Sequence, residues 1–221
     1  GICKKAIASR LGEVYMMETL PETGAEYTVK VTILKDRVTL TVDTSGFGLH
    51  KRGYRVKTVA APIKETLAAA MVQLSFWNKD RVLLDPCCGS GTIAIEAAMI
   101  GRNIAPGLSR SFACEGWEAI DKKLWKEEKK RAYDLMDNTS KLDIVAIDID
   151  KMAIDAAKEN AVEAGVDDCI RFINADMSRI KASQPSGIII TNPPYGERIG
   201  ERKQIAAIYS KYKKFFAENP S

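Results

Sequence analysis

Helix and strand patterns alternate along the chain from residue 63 onward, and this order restricts the possible folds more than any other feature. Short apolar runs typical of buried strands occur at residues 81–85, 143–148, 170–174 and 187–191. Helical patterns flank these runs, at residues 63–77, 92–100, 121–136, 151–164 and 203–217. Strands and helices that alternate in this way form a parallel sheet covered by helices. The sequence therefore predicts an α/β fold.

The first 45 residues carry a different pattern. Apolar residues at helical spacing occupy residues 2–13, and alternation of apolar and polar residues at 27–33 and 38–42 predicts a β-hairpin. One helix and one hairpin bury too little apolar surface to be stable alone, and the chain starts at Gly1 rather than Met. We therefore expect a fragment with three parts: the end of one domain at 1–45, a linker at 46–62 and a second domain at 63–221, incomplete at its C-terminus.

The expected linker has an unusual composition. Glycines and basic residues lie between the aromatic residues Phe47 and Tyr54. A loop of this kind can grip a nucleic-acid backbone and stack on a base, or it can be a solvated connector anchored by two rings. Both interpretations stay open at this level.

Composition excludes several classes of protein. No run approaches the roughly 18 apolar residues of a membrane helix, and the first residues lack the apolar block of a signal peptide. Five cysteines without a Cys-x-x-Cys pair, together with a single histidine, argue against a zinc site or a disulfide framework. We expect a cytoplasmic protein with reduced thiols. The net charge of +4 permits a nucleic-acid partner without requiring one.

A glycine turn follows the first strand of the α/β region. The strand ends at Asp85, the turn contains Gly89 and Gly91, and a helix starts at Thr92. Glycines allow a ligand to approach the backbone closely beside the positive end of a helix, which is typical of nucleotide-cofactor sites. The turn also satisfies a Gly-x-Gly-x-x-Ala dinucleotide pattern, but that pattern wants an acidic residue about 20 residues later, and the next strand ends only at Asp148, after the long insertion. A nicotinamide site and a purely structural turn remain the alternatives.

Carboxylates end the next two strands. Asp148 closes the second strand, where it can accept hydrogen bonds from the two hydroxyls of a ribose. Asp150 is better suited to be the N-cap of the following helix. Asp176 follows the third strand and could accept a hydrogen bond from an adenine amino group.

The fourth strand leads into Asn192-Pro193-Pro194-Tyr195. The side-chain oxygen of Asn192 and the carbonyl of Pro193 can both accept hydrogen bonds from one amino group, and Tyr195 can stack on the ring that carries it. Such a clamp would aim the nitrogen lone pair at an electrophile. The alternative is a turn stiffened by two prolines.

Together these motifs resemble a known family. Asp85, Gly89 and Gly91, combined with Asn192-Pro193-Pro194-Tyr195, resemble S-adenosylmethionine-dependent amino methyltransferases of Rossmann-like fold. Longer segments are more closely similar to bacterial THUMP-domain RNA methyltransferases, a group that includes the large-subunit ribosomal RNA guanine methyltransferases and is often labelled as DNA adenine methylases. These segments are residues 43–55, 61–67, 110–117 and 192–198.

The resemblance implies a fold and a set of site residues. Residues 1–45 would be the C-terminal part of an α+β THUMP domain, and 63–221 a Rossmann-like methyltransferase sheet whose last strands lie beyond Ser221. The implied cofactor-binding residues for S-adenosyl-L-methionine are Asp85, Gly89 and Gly91 at the methionine end, Asp148 at the ribose, Asp176 at the adenine, and Thr66 with its neighbours Lys64 and Glu65 alongside. The implied catalytic residues are Asn192, Pro193 and Tyr195.

The resulting hypothesis is methyl transfer, without a metal, to an exocyclic amino group in RNA. The 2-amino group of a guanine in large-subunit ribosomal RNA is the expected acceptor, and transfer RNA is a further possible partner. Cys87 and Cys88 are interpreted as packing residues, because methyl transfer to an amino group needs no cysteine nucleophile. The alternatives are a DNA adenine-N6 methyltransferase, a non-catalytic RNA-binding or assembly factor and, last, a nicotinamide-dependent oxidoreductase.

Overall fold

The computed structural model describes residues 1–59, 62–177, 186–194, 209–215 and 217. The chain divides into two compact units. One consists of residues 1–48 and 111–127, and the other of residues 49–110 and 128–221. Each unit is described by itself.

The first unit contains the predicted helix and hairpin. Helix α1 spans Ile2–Tyr15, and strands β1 (Thr28–Leu34) and β2 (Arg37–Asp43) pair antiparallel. Lys35 and Asp36 connect the strands with φ values of 47° and 57°. Two consecutive residues with positive φ form the tight hairpin turn whose twist matches that of the strands. The hairpin predicted from alternation is thereby confirmed.

Residues 111–127 belong to this first unit, although the sequence places them in a long insertion between a helix and a strand of the α/β region. The rings of Trp117 and Tyr27 stack with their centroids 4.7 Å apart, and the indole N–H of Trp117 donates to the Glu26 carbonyl over 2.9 Å. The Cys114 amide donates to the Thr44 carbonyl over 3.1 Å. The insertion therefore packs in part with residues that precede it by about 90 positions, a distance that no local pattern reveals.

The second unit is a four-stranded parallel sheet with helices between its strands. The strands are β3 (Val82–Asp85), β4 (Ile144–Asp148), β5 (Ile170–Asn174) and β6 (Gly187–Ile189), in the spatial order β5-β4-β3-β6. The helices are α2 (Glu65–Leu74), α3 (Thr92–Gly101), α4 (Lys122–Asp134), which begins in the first unit, and α5 (Lys151–Glu163). Residues 209–215 are also helical. The predicted α/β fold with a parallel sheet is confirmed.

The core of this unit is apolar and lies between the sheet and the alanine-rich helices that cover it. Every residue from Thr92 to Met99 in α3 is buried, and β4 is buried from Ile144 to Ile147. Strands buried on both faces appear as continuous apolar runs, which explains why these segments were recognisable in the sequence. Small alanines bring α3 and α5 close to the strands, and the residues at the strand ends are thereby held in place.

The order of the strands creates a crevice at one edge of the sheet. From β3 the chain moves outward to β4 and β5, and it then crosses back to the other side of β3 as β6. The register pairs Leu84 with both Val145 of β4 and Ile189 of β6. Connections that leave a central strand in opposite directions open a crevice beyond its carboxyl end, where α/β proteins bind ligands.

The element boundaries agree with the sequence patterns to within a few residues. The fourth strand is assigned to Gly187–Ile189, shorter than the predicted 187–191, although the Ile190 amide still donates to the Leu84 carbonyl over 3.1 Å. The predicted helix at 203–217 lies largely outside the described residues. Among the described residues, no helix is both long and apolar enough to cross a membrane.

Candidate active site

The glycine turn lies between β3 and α3, at the crevice. The Gly91 amide donates to the Cys88 carbonyl over 2.9 Å, and Gly89 and Gly91 have φ values of 53° and 81°. A Cβ atom on Gly91 would lie 2.9 Å from the Cβ of Ala157 in α5, which is closer than real Cβ contacts. Gly91 is therefore required both by its left-handed backbone and by the approach of α5.

Asp148 is bound to this turn. Its Oδ2 accepts the amide N–H of Gly89 over 2.9 Å, and its Oδ1 accepts the amide N–H of Asp150 over 2.9 Å. Each carboxylate oxygen has two lone pairs, so each can accept one further hydrogen bond. Asp150 caps α5 by accepting the Met152 amide N–H over 2.9 Å, as its position in the sequence predicts. Asp148 thus binds the glycine turn, whereas Asp150 caps α5, although the two residues are only two positions apart.

Asp85 is the most deeply buried carboxyl group at the crevice, with 1% of its surface exposed. Burial raises its pKa to about 7, partly opposed by the Cys87 amide, which donates to Oδ1 over 3.3 Å. Oδ2 of Asp85 has no hydrogen-bond partner within the described part of the chain. A buried acceptor without a donor is costly unless a ligand supplies one.

Asn192 and Pro193 follow β6 and reach the same edge of the sheet. Both are partly buried, and the next residue, Pro194, is exposed. Since β6 pairs directly with β3, the segment after Ile190 lies beside the carboxyl end at Asp85. Tyr195, the third predicted catalytic residue, lies outside the described residues.

Asp176 follows β5, on the far side of Asp148. The Ala175 amide donates to the Asp148 carbonyl over 3.1 Å, so the chain after β5 stays next to the end of β4. Lys211 forms an ion pair with the Asp176 carboxylate. Asp176 is therefore at the predicted edge of the sheet, and its carboxylate is paired with the ammonium group of Lys211.

The two cysteines of the glycine turn are not activated. The Tyr212 hydroxyl donates to Sγ of Cys87 over 3.3 Å. Burial raises the thiol pKa of both Cys87 and Cys88, so both thiols are protonated at neutral pH. This agrees with their interpretation as packing residues. Among the described residues, no group of three or more His, Cys, Asp or Glu side chains could hold a metal ion.

Thr66 and its neighbours lie at the start of α2. Thr66 is exposed, whereas Glu65 is buried and accepts a hydrogen bond from Nε of Arg55 over 2.7 Å. The structure thus ties the first turn of α2 to Arg55 through Glu65, and it leaves the Thr66 side chain on the surface.

The buried polar residues behind the turn were not predicted from the sequence. Arg52 and Tyr54 both contact Glu96 of α3, the Tyr54 hydroxyl over 3.0 Å, and Tyr54 is only 2% exposed. Arg52 thus pairs with Glu96 and Arg55 with Glu65, so these two cations of the expected linker are bound to carboxylates of the protein itself. A signal was present, since Glu96 is the one charged residue in an otherwise apolar helix, and a buried carboxylate needs a partner.

Comparison with known proteins gives a consistent assignment. Residues 52–220 match the family model described as RMKL-like, methyltransferase domain. The chain is 50% identical over 212 residues to "Putative RNA methyltransferase YpsC" of Bacillus subtilis. The matched region makes up 94% of this chain and 54% of that protein. It is 40% identical to the ribosomal RNA large subunit methyltransferase K/L of Vibrio cholerae, over 85% of this chain and 27% of that protein. The chain thus spans about half the length of YpsC and about a quarter of the length of the Vibrio cholerae protein.

Solved structures show the same fold. The crystal structure of a predicted N6-adenine-specific DNA methylase from Listeria monocytogenes superimposes with a TM-score of 0.93 at 47% identity, covering 98% of this chain and 57% of that one. The crystal structure of SMU.472, described as "a putative methyltransferase complexed with SAH" (S-adenosylhomocysteine), superimposes with a TM-score of 0.92 at 40% identity, covering 99% of this chain and 58% of that one. The crevice, its glycine turn and the matched residues lead to one conclusion: the chain belongs to the family of RMKL-like methyltransferase domains.

Proposed function

We propose that this chain binds S-adenosyl-L-methionine at the crevice and transfers its methyl group to an exocyclic amino group of a base in RNA. The observation that carries the proposal is the meeting of two parts at one sheet edge. The glycine turn and Asp148 form one part, and the segment Asn192–Pro193 after β6 forms the other. A cofactor site and an acceptor site on adjacent strand ends can hold two reactants within reach of each other.

The residues at the crevice fit the proposed cofactor. The turn has a left-handed backbone at Gly89 and Gly91, and Asp148 has acceptor capacity for two ribose hydroxyls. Asp85 offers its unpartnered Oδ2 at the methionine end. Asp176 can accept an adenine amino group while Lys211 stays bound, because a carboxylate has about four acceptor positions. When bound, the cofactor supplies a methyl group on a positively charged sulfur.

The acceptor residues would act by orientation. The side-chain oxygen of Asn192 and the carbonyl of Pro193 accept the two N–H groups of the target amine, and the nitrogen lone pair then points toward the methyl group. Tyr195 stacks on the base, which has been turned out of its helix. The nitrogen becomes cationic on methylation and loses its proton afterwards, so a strongly tuned base is not needed.

RNA is the favoured substrate class for two reasons. The relatives at 50% and 40% identity are named as RNA and ribosomal RNA methyltransferases. The chain also has a net charge of +4, which suits a polyanionic partner. Within this class we propose the 2-amino group of a guanine in large-subunit ribosomal RNA, following the family resemblance described above.

A DNA adenine-N6 methyltransferase is the second candidate. Asn-Pro-Pro-Tyr suits adenine amino groups as well, and the similar Listeria structure is described as a predicted N6-adenine-specific DNA methylase. A non-catalytic RNA-binding factor is the third, and an intact glycine turn together with the Asn192 segment favours an enzyme over it.

The test uses full-length protein and methyl-labelled S-adenosylmethionine with unmodified ribosomal RNA, transfer RNA and duplex DNA in separate reactions. The products are digested to nucleosides and identified by mass. Label in N2-methylguanosine from ribosomal RNA is the expected result. Label in N6-methyladenine from DNA would replace RNA by DNA as the substrate, and cofactor binding without label in any acceptor would favour the non-catalytic role.

A further inference from the structure

Residues 52–59, called the strap here, run beside the glycine turn and are attached to it by buried polar side chains. Asn160 of α5 is 1% exposed and makes four hydrogen bonds. Its Oδ1 accepts the amide N–H groups of Val56 and Lys57, over 3.0 and 2.9 Å. Its Nδ2 donates to the carbonyls of Lys57 and Ser90, over 2.9 and 3.1 Å. One side chain thus joins the strap, α5 and the glycine turn, and all four of its hydrogen-bonding positions are used.

Arg55 makes a second set of connections from the strap. Its guanidinium donates to Ser90 Oγ over 3.3 Å and to Thr92 Oγ1 over 2.9 Å, on the turn and at the start of α3. It also donates to Oε1 of Glu65 over 2.7 Å and to the Ile63 carbonyl over 3.0 Å, at the start of α2. A planar guanidinium with five donors can hold several partners in one fixed arrangement, which a lysine ammonium cannot reproduce.

Both sets of contacts meet at Ser90, between the two glycines of the turn. Asn160 holds its carbonyl and Arg55 holds its hydroxyl. The Ser90 amide N–H donates no hydrogen bond to any described residue. With the carbonyl and side chain fixed on the protein side, this amide is left for a ligand, and backbone amides at a helix start suit an anionic group.

The strap also contacts the turn through its apolar end. A Cβ atom built on Gly89 would lie 3.4 Å from Cγ2 of Val59, so the strap reaches the face of the turn that Gly89 leaves open. The strap therefore packs against the turn as well as being hydrogen-bonded to it.

We infer that Asn160 and Arg55 are positioning residues for the proposed cofactor site: they fix Ser90 and the strap so that the glycine turn is formed before the cofactor binds. Neither residue is expected to touch the reacting atoms. This inference rests on the proposed cofactor binding and adds to it the residues that organise the site in advance.

The test measures the affinity of the full-length protein for SAH by calorimetry in wild type, Asn160→Ala and Arg55→Lys. Loss of one or two hydrogen bonds that shape the turn should raise the Kd at least about tenfold in each variant. Arg55→Lys keeps the positive charge beside Glu65, so it remains informative if Asn160→Ala does not fold. In turnover assays, KM for S-adenosylmethionine should rise by a similar factor while KM for the nucleic acid stays within about twofold.

Two controls separate positioning from mere stability. Glu159→Ala changes the neighbouring residue of α5, whose exposed ion pair reaches Lys57 of the strap over 3.5 Å, and should leave the Kd unchanged. Val166→Ala removes core volume at a fully buried residue away from the turn, so it should lower the urea midpoint without weakening SAH binding.

The outcomes distinguish this inference from the proposed function. If folded Asn160→Ala and Arg55→Lys both bind SAH within twofold of wild type, the positioning role is wrong and the proposed function is unaffected. If wild type itself does not bind SAH, the proposed function fails and this inference fails with it.

Discussion

The amide N–H of Gly89 donates a 2.9 Å hydrogen bond to Oδ2 of Asp148, across 59 positions of sequence. This bond joins the turn after β3 to the last residue of β4. It satisfies a backbone hydrogen-bond donor of the turn and orients the carboxylate at the same time. The orientation of the group proposed to bind ribose thus depends on the turn proposed to hold the rest of the cofactor.

Replacing Asp148 should weaken cofactor binding selectively. Asp148→Asn keeps the size of the side chain but removes the charge and one acceptor, so we expect SAH to bind about 10- to 100-fold more weakly, measured by calorimetry. Asp150→Ala is the matched control two residues away. It removes the N-cap of α5 and should cost about 1 kcal/mol of stability while changing the Kd by less than about threefold.

Asn192→Ala should have the opposite effect. The clamp on the target amine is lost, so single-turnover methyl transfer should slow by at least about 100-fold while SAH affinity stays within about twofold. Full turnover in this variant would contradict the clamp. Comparing it with Asp148→Asn in the same assay separates the acceptor site from the cofactor site.

Gly91→Ala tests how closely α5 approaches the turn. Alanine is strained at a φ of 81°, and its Cβ would also meet Ala157 at 2.9 Å, so we expect a loss of about 3 kcal/mol in urea unfolding. Gly165→Ala is the control, since Gly165 has a φ of 68° with open space around it. It should cost only about 1 kcal/mol, and equal losses in both variants would show that the contact with α5 contributes nothing.

Asp85 should make stability depend on pH. Its pKa is about 7 in the folded chain and 3.8 when unperturbed, so between these values the folded state holds a proton that the unfolded state has released. The unfolding free energy contributed by this group therefore falls as the pH rises from about 4 to about 7, by about 4 kcal/mol, and is constant above that. Asp85→Asn should remove this component. Urea titrations of both proteins at pH 5 and pH 8 would measure it, and identical pH dependence would contradict the assignment.

Glu96 should be important for folding rather than for chemistry. It is 2% exposed, and both Arg52 and the Tyr54 hydroxyl hydrogen-bond to its carboxylate. Glu96→Ala would leave a largely buried guanidinium unpaired, so we expect a loss of about 3 to 5 kcal/mol in urea unfolding.

Glu96→Gln is the conservative comparison, because glutamine can still accept the Tyr54 hydrogen bond; it should lose about half as much or less. The exposed pair of Lys57 and Glu159 provides the control, and Glu159→Ala should change stability by less than about 0.5 kcal/mol. A loss in Glu96→Ala no larger than this control would mean that the buried pair is not required.

The sequence by itself determined the parts of this protein that depend on local pattern. Apolar runs and helical spacing located the hairpin and β3 to β5 closely, since burial of a strand or a helix face requires apolar residues at fixed spacing. The glycine turn was also recognisable, because a left-handed backbone such as that of Gly91 strongly favours glycine. The combination of that turn with Asn192–Pro193 was specific enough to indicate the family.

The tertiary structure alone decided which distant residues meet. The order β5-β4-β3-β6 brings the end of β6 beside Asp85, and folding places Asn160 on the carbonyl of Ser90, 70 positions earlier. It also packs Trp117 on Tyr27 and turns Arg55 inward to Glu65. Such contacts depend on shape and on satisfying buried polar groups across the whole core, and neither leaves a periodic trace in the chain.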